Sequence, residues 1–233
     1  MLTQQLPLAM RLRERAVFDS FVVGPNLQAF EALRAAARGE LHEVQWLSGP
    51  AGVGKTHLLQ ALCAEAQRVQ RASAYLPLRE LRELGVEALA GWQHIQVLAI
   101  DDVEAVAGHR QWEEALFGLH REAQERAAVL VATAREAPQG LKFSLPDLAS
   151  RFAAANILLL RPLDEGQQRE ALRLRAQARG LELPEETALY LQRRFPRDLP
   201  TLYQLLDALD EAALAAQRRI TVPFIRSVLE SRA

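Results

Sequence analysis

The eight residues from Gly49 to Thr56 have the types and spacing that bind the phosphates of a nucleotide. They form the full Walker A pattern Gly-x-x-x-x-Gly-Lys-Thr, in which glycines let successive backbone N–H groups converge on phosphate oxygens. We expect Lys55 to reach the outer phosphates and Thr56 to ligate Mg²⁺. The sequence therefore predicts a site for a purine nucleotide, ADP or ATP with Mg²⁺, formed by Gly49, Pro50, Ala51, Gly52, Val53, Gly54, Lys55 and Thr56.

Two carboxylates, Asp101 and Asp102, follow the apolar run 97–100 and could supply the second half of this site. A carboxylate at the end of a buried strand is costly unless it has a task. We expect Asp101 to hold the magnesium shell and Asp102 to orient an attacking water. Thr133 ends another apolar run and could contact the γ-phosphate or its water. The alternative interpretation is that these residues only end their strands.

The elements that must position these residues are predicted from the hydrophobic pattern. Nearly continuous apolar runs are typical of parallel strands that are buried on both faces. A helical spacing at 26–38, a helix after the glycine loop and another around 112–123 alternate with these runs, which favours a three-layer α/β domain. The predicted strands are 43–48, 73–77, 95–100, 128–133 and 155–160.

The pattern changes at Arg161 and Pro162, after which no convincing strand follows. Four helical patterns run through roughly 164–179, 184–194, 198–216 and 222–231, and they indicate a small all-helical domain. We therefore divide the chain into three parts, a flexible tail 1–17, a nucleotide-binding domain 18–161 and a helical domain 162–233.

Composition excludes several classes of function. The net charge of the 233-residue chain is -1, which argues against strong direct DNA binding, because such binding needs clustered Lys and Arg. Cys63 is the only cysteine, so no internal disulfide is possible. We find no signal peptide and no apolar run near the roughly 20 residues that span a bilayer. We expect a cytoplasmic protein with no membrane partner.

These motifs, in this order, resemble the AAA+ ATPases. The segment around Phe21, Val22 and Val23 looks like the entry to the nucleotide domain of the bacterial replication initiator DnaA, where it lies against the adenine. The resemblance implies an α/β fold, in which a P-loop AAA+ three-layer parallel-sheet domain is followed by a small all-helical lid domain. We also expect Leu58, early in the helix after the loop, to contact the cofactor.

The stretch 145–152 is similar to the "box VII" motif of DnaA. There, the arginine that matches Arg151 is the arginine finger that reaches a nucleotide on a neighbouring subunit. The lid of AAA+ proteins usually carries a sensor arginine, but Pro200 stands at the expected position. Arg197, one turn earlier, could substitute for it or could be a solvated arginine at a helix start. Without a sensor arginine, we expect nucleotide binding but no strong hydrolysis by this chain itself.

The N-terminal residues Gln5, Leu6, Leu8 and Met10 look like the short peptide by which bacterial replication proteins dock on the DNA polymerase III sliding clamp, its beta subunit. Gln5 could hydrogen-bond at a pocket rim while the apolar side chains fill subsites. An apolar N-terminus also occurs by chance. DnaA continues into a DNA-binding domain, and we expect none here because the sequence ends at Ala233.

This combination closely resembles the Hda family of DnaA-homologous regulators. In that family the ADP-bound protein sits on the DNA-loaded clamp and presents its arginine finger to ATP-bound DnaA. Hydrolysis then leaves inactive ADP-DnaA, so the protein is a negative regulator of replication initiation.

Two alternatives stay open. The chain could be a helicase loader with its own ATPase activity, or an interaction module in which the nucleotide is only structural. A homo-oligomer is compatible with all three hypotheses, the regulator, the helicase loader and the interaction module.

Overall fold

The computed structural model describes residues 16–92, 94–195, 198–216 and 221–230. Its centre is a five-stranded sheet in which every pairing is parallel and the order is β2-β3-β4-β1-β5. All five strands were predicted from the apolar runs, and the parallel three-layer fold is confirmed. The strands are β1 (Gln45–Ser48), β2 (Ser73–Pro77), β3 (Val97–Asp101), β4 (Val129–Ala134) and β5 (Asn156–Leu159).

Helices cover both faces of the sheet. On one face α1 (Leu27–Arg38) and α2 (Lys55–Arg68) pack against the sheet through a shared apolar core. On the other face α4 (Arg110–Glu125) and α5 (Pro146–Ala153) form a second core with it, beside the short α3 (Leu78–Leu81). Because both faces are buried, strand residues on either side are apolar, which explains the continuous runs in the sequence.

Four further helices form the C-terminal lid, as the helical patterns predicted. They are α6 (Glu165–Ala178), α7 (Glu185–Arg194), α8 (Leu199–Ala216) and α9 (Val222–Glu230), and they enclose a core of their own. Asp164 begins α6 by accepting a hydrogen bond from the backbone N–H of Gln167, and the side-chain Oε1 of Gln167 accepts from the backbone N–H of Asp164. This reciprocal capping satisfies backbone donors at the helix start.

One side chain ties the sheet domain to the segment that leads into the lid. The buried amide of Asn26 donates to the carbonyl of Arg161 at 3.0 Å and accepts from its N–H at 2.8 Å. This pair of bonds fixes where the chain leaves β5 for the lid. Within the described residues, no helix has the length and apolar character needed to span a membrane.

Candidate nucleotide site

The glycine loop lies between β1 and α2, at the edge of the sheet where the strands end. Gly52 and Gly54 have φ angles of +76° and +103°, in the left-handed region that side chains rarely adopt. A Cβ atom added at Gly54 would lie only 2.7 Å from the ring of Phe21. The two glycines are therefore required both by the turn of the loop and by its close contacts.

Lys55, the first residue of α2, is almost fully buried under the loop. Its Nζ donates to the carbonyl oxygens of Gly49 at 2.6 Å and Pro50 at 3.0 Å. Burial lowers the pKa of Lys55, and the nearby carboxylates of Glu104 and Asp101 oppose that shift. The ammonium group is thus held inside the loop, where it can balance phosphate charge.

Asp101 accepts four hydrogen bonds and connects three strands with the loop. Its Oδ2 accepts from Thr56 Oγ1 and Tyr75 Oη, both at 2.8 Å, and its Oδ1 accepts from Thr133 Oγ1 and from the N–H of Asp102. Asp101 is the last residue of β3 and is only 3 % exposed. A buried carboxylate needs this number of donors to offset its lost hydration.

Thr133 has no exposed surface and also accepts from the N–H of Asp102 at 3.2 Å. The sequence suggested that Thr133 could contact the γ-phosphate or its water, and a hydroxyl with no exposed surface is poorly placed for a direct contact with phosphate. Thr133 instead acts on the site through Asp101, by fixing its carboxylate. The strand order places β4 beside β3 and explains why these two side chains meet.

Asp102 has a left-handed backbone, with a φ angle of +57°, at the exit from β3. Its Oδ2 accepts from Arg79 Nε at 2.9 Å, so the carboxylate expected to orient water is engaged in a half-exposed ion pair. Glu104 lies close by, and burial raises its pKa. Arg135 Nε is 3.6 Å from Glu104 Oε1, which is ion-pair range but too long for a hydrogen bond.

Four polar residues of the site were not predicted from the sequence, namely Tyr75, Arg79, Glu104 and Arg135. Burial and the charge of Asp101 raise the pKa of Tyr75, so its hydroxyl stays a donor. A polar ring within the predicted strand 73–77 was a signal, but its partner depends on β2 lying beside β3. The other three are charged residues after strands or in a short helix, and sequence gives them no distinguishing pattern.

The residues expected to contact the nucleotide, three in the entry segment and Leu58 in α2, differ in how deeply they are buried. Phe21 stacks on Phe30 with 6.1 Å between ring centroids, and Val22 and Val23 are half-buried beside it. Leu58 is fully buried in the core, and its N–H donates to the carbonyl of Gly54. Leu58 therefore supports the loop from beneath, and its expected contact with a cofactor does not fit a side chain without exposed surface.

The lid reaches the loop through Pro200, in the first turn of α8. A Cβ atom added at Gly52 would lie within 2.5 Å of Pro200 Cδ. The position expected to hold a sensor arginine thus lies over the loop, but a proline side chain offers no hydrogen-bond donor. Arg197, the substitute considered from the sequence, lies outside the described residues.

The oxygen atoms near the loop suit a magnesium ion that is also bound by a nucleotide. Among the described residues, no cluster of three His, Cys, Asp or Glu side chains could hold a metal by itself. Thr56 Oγ1 and Asp101 provide two adjacent oxygen donors. Mg²⁺ commonly binds one or two protein oxygens together with phosphate oxygens and water, so this pair suits a metal that arrives with a nucleotide.

Arg151 lies in the last turn of α5 and is partly exposed. Its guanidinium lies 4.8 Å from the ring centroid of Phe117, and Nη1 donates to Gln124 Oε1 at 2.5 Å. Both partners belong to α4. The expected clamp-binding residues Gln5, Leu6, Leu8 and Met10 lie outside the described residues.

Comparison with known proteins supports these assignments of fold. Residues 12–158, more than half of the chain, match the model of the bacterial DnaA ATPase domain, and residues 164–229 match the model described as Hda, lid domain. Domain III of DnaA from Thermotoga maritima is similar over 93% of this chain and 96% of that one, with 23% identity and a TM-score of 0.78.

Two further structures share the fold. DnaA from Aquifex aeolicus with bound AMPPCP is 23% identical over 84% of this chain and 66% of its own, with a TM-score of 0.68. The RuvB branch migration motor of Thermotoga maritima is 21% identical over 88% of this chain and 67% of its own, with a TM-score of 0.64. The chain therefore belongs to the family of the bacterial DnaA ATPase domain, as a replication-related AAA+ protein with an Hda-type lid.

Proposed function

We propose that this chain binds ADP or ATP with Mg²⁺ at the glycine loop and uses Arg151 as an arginine finger on ATP bound by DnaA. It docks on the sliding clamp through Gln5, Leu6, Leu8 and Met10. Hydrolysis leaves inactive ADP-DnaA and restrains initiation. The AMPPCP bound by the similar DnaA of Aquifex aeolicus supports the nucleotide part of this proposal.

The observation that carries the proposal is the separation of Arg151 from the chain's own loop. The loop follows the end of β1 and Asp101 is the last residue of β3, whereas α5 ends just before β5 begins. Because all strands are parallel, these positions lie at opposite edges of one sheet. A five-residue strand separates the edges by about 15 Å. An arginine at the far edge suits a phosphate held by another protein.

The features at the loop itself favour binding over rapid turnover. The carboxylate of Asp102 is paired with Arg79, and Pro200 stands where a cationic lid residue would meet the phosphates. A nucleotide held there keeps the loop and lid together without needing hydrolysis. This distinguishes the proposal from a helicase loader that depends on its own ATPase cycle.

The decisive experiment measures hydrolysis of radiolabelled ATP on DnaA in the presence of DNA-loaded clamp and the full chain. An arginine finger supplied in trans accelerates hydrolysis by about 10³-fold or more, and Arg151→Ala should abolish that stimulation. Arg110→Ala is a matched control, since Arg110 is an exposed arginine on the helix that supports α5. Full stimulation by Arg151→Ala would refute the proposal.

Clamp docking is tested separately by gel filtration of clamp with the wild type and with Gln5→Ala/Leu6→Ala. We expect only the wild type to co-elute with the clamp. Equal binding of the two proteins would remove the docking peptide from the proposal and leave the role of Arg151 to stand alone. Turnover by the chain itself, together with helicase binding, would favour the loader instead.

A further inference from the structure

The backbone at the start of α5, the helix that carries Arg151, is hydrogen-bonded to one buried carboxylate of α4. Glu113 has no exposed surface, and its Oε1 accepts from the backbone N–H groups of Gly108 at 2.6 Å and Ser144 at 3.0 Å. Its Oε2 accepts from the N–H of Leu145 at 2.6 Å. Leu145 precedes the first residue of α5 and has no side-chain cap of its own. Glu113 therefore links the backbone at the start of α5 to α4.

The C-terminal end of α5 contacts the same face of α4. The guanidinium of Arg151 packs over the ring of Phe117 and donates to Gln124. Between these contacts, the ring of His120 meets the ring of Phe152 edge-on at 5.9 Å. Both ends of α5 are thus held by contacts with α4.

The α4 residues that contact α5 and its preceding loop lie on one face of the helix. Glu113, Phe117, His120 and Gln124 follow one another at intervals of four, three and four residues, which places them on one face of a helix. A buried glutamate is unusual in a helix that packs on a sheet, and its three backbone donors explain why it is tolerated. This face presents α5 and its arginine in a fixed position.

We propose that Glu113 and Gln124 are positioning residues for Arg151, an inference that rests on the proposed function of that arginine. Glu113 sets the place of α5 on α4, and Gln124 restrains the guanidinium at the far end of the helix. A free arginine side chain loses considerable rotamer entropy when it is ordered, and a restrained one loses less. The restraint therefore improves the alignment of the finger with the phosphate it meets.

Gln124→Ala is the sharper test because this side chain is exposed and its removal leaves the apolar cores intact. Hydrolysis on DnaA is measured against increasing concentrations of the full chain on DNA-loaded clamp. We expect the plateau rate to fall by about tenfold while the half-saturating concentration stays unchanged, since alignment and not docking is lost. Gln111→Ala, an exposed glutamine at the start of the same helix, should behave like the wild type.

Gln124→Glu tests the direction of the effect. A carboxylate at this position would pair with the guanidinium of Arg151 and compete with phosphate for it, so the plateau should fall further than in Gln124→Ala. A higher plateau in Gln124→Ala would mean that Gln124 restrains the finger from acting. A change in half-saturating concentration alone would mean that Gln124 belongs to the docking surface. Either result would overturn the inference.

Glu113→Gln keeps the shape of the side chain but turns an amide N–H₂ toward a backbone donor. We expect a lower plateau with unchanged half-saturation, and Glu114→Gln, at the exposed neighbouring position, should have no effect. Far-UV circular dichroism confirms that the fold is retained. If Glu113→Gln is poorly folded, the result for Gln124→Ala decides.

A second readout needs no DnaA. The NMR order parameter of the Arg151 side-chain Nε–H should fall in Gln124→Ala and stay unchanged in Gln111→Ala. Equal order in all three proteins refutes the positioning role. If Arg151→Ala keeps full stimulation, the proposed function fails. If Arg151→Ala is inactive but Gln124→Ala matches the wild type in rate and order, only the positioning inference fails.

Discussion

Replacing Asp101 by asparagine should separate the structural role of this carboxylate from its role toward magnesium. The amide oxygen can keep the N–H of Asp102 and the hydroxyl of Thr133 on one side. The N–H₂ group then faces the hydroxyls of Thr56 and Tyr75, which can turn and accept from it. All four partners therefore stay satisfied, and only the charge is lost.

The magnitude follows from that count. A hydrogen bond to a charged group contributes about 1 kcal/mol more than a neutral one, and relief from burying a charge offsets part of the loss. We expect Asp101→Asn to destabilise the free chain by about 1 kcal/mol. Asp101→Ala leaves four donors without this acceptor, and we expect it to cost about 3 kcal/mol. For a chain of this size, these correspond to falls in Tm of about 2–4 °C and about 6–12 °C.

The assay is thermal denaturation with ADP, in the presence of Mg²⁺ or EDTA. A ligand at a hundred times its Kd that binds only the folded chain stabilises it by about 2.7 kcal/mol. In the wild type, Mg²⁺ should raise the increment given by ADP. In Asp101→Asn that Mg²⁺-dependent part should vanish, while an increment from ADP alone persists through the loop and Lys55.

Two results would refute this reasoning. A full Mg²⁺-dependent increment in Asp101→Asn would show that the carboxylate does not serve the metal. Equal destabilisation by Asp101→Asn and Asp101→Ala would show that the four hydrogen bonds do not depend on an acceptor at this position. Thr56→Val is the matched comparison, because it removes the adjacent metal donor while leaving Asp101 charged.

Two other predictions concern the lid contact and pH. Gly52→Ala should weaken ADP binding and lower the Tm more than Gly91→Ala, because both glycines have positive φ but only Gly52 faces Pro200; Pro200→Ala should partly rescue it, and equal effects at both glycines would contradict the contact. Burial, then the charge of Arg151, lowers the pKa of His120 from 6.5 to about 4. Its contribution to stability should therefore be complete above pH 6.5 and be lost as pH falls toward 4. Urea unfolding of His120→Leu should show a shallower decline in that range, and parallel curves would disprove the assignment.

Much of the fold was predictable because it depends on local pattern. Apolar runs of strand length, the glycine loop and the helical spacing after Pro162 are each readable within a few residues, and the structure contains the elements they predict. Even so, strand order was not available from the pattern. The bond between Tyr75 and Asp101 and that between Thr133 and Asp101 exist because β2 and β4 both flank β3.

Contacts between distant parts of the chain set the remaining limit. Glu113 has the sequence appearance of a solvated helix residue, yet it is fully buried, because two of its three backbone donors come from a loop about thirty residues later. Pro200 looks like a helix-start proline, which is common. Its contact with Gly52 needs the lid to fold back over the sheet, and no local spacing encodes that.

The contacts at the carboxyl edge of the sheet indicate what a bound nucleotide would do for this protein. Asn26 binds the backbone of Arg161 just before the lid, Phe21 lies over Gly54, and Pro200 lies over Gly52. A nucleotide at the loop would therefore lie among the entry segment, the sheet and the lid, and would join all three. The arginine proposed for chemistry stands at the opposite edge, on α5. Removing the nucleotide should therefore loosen the lid before it changes the position of Arg151. Hydrogen exchange in α8 should then respond to ADP more strongly than exchange in α5.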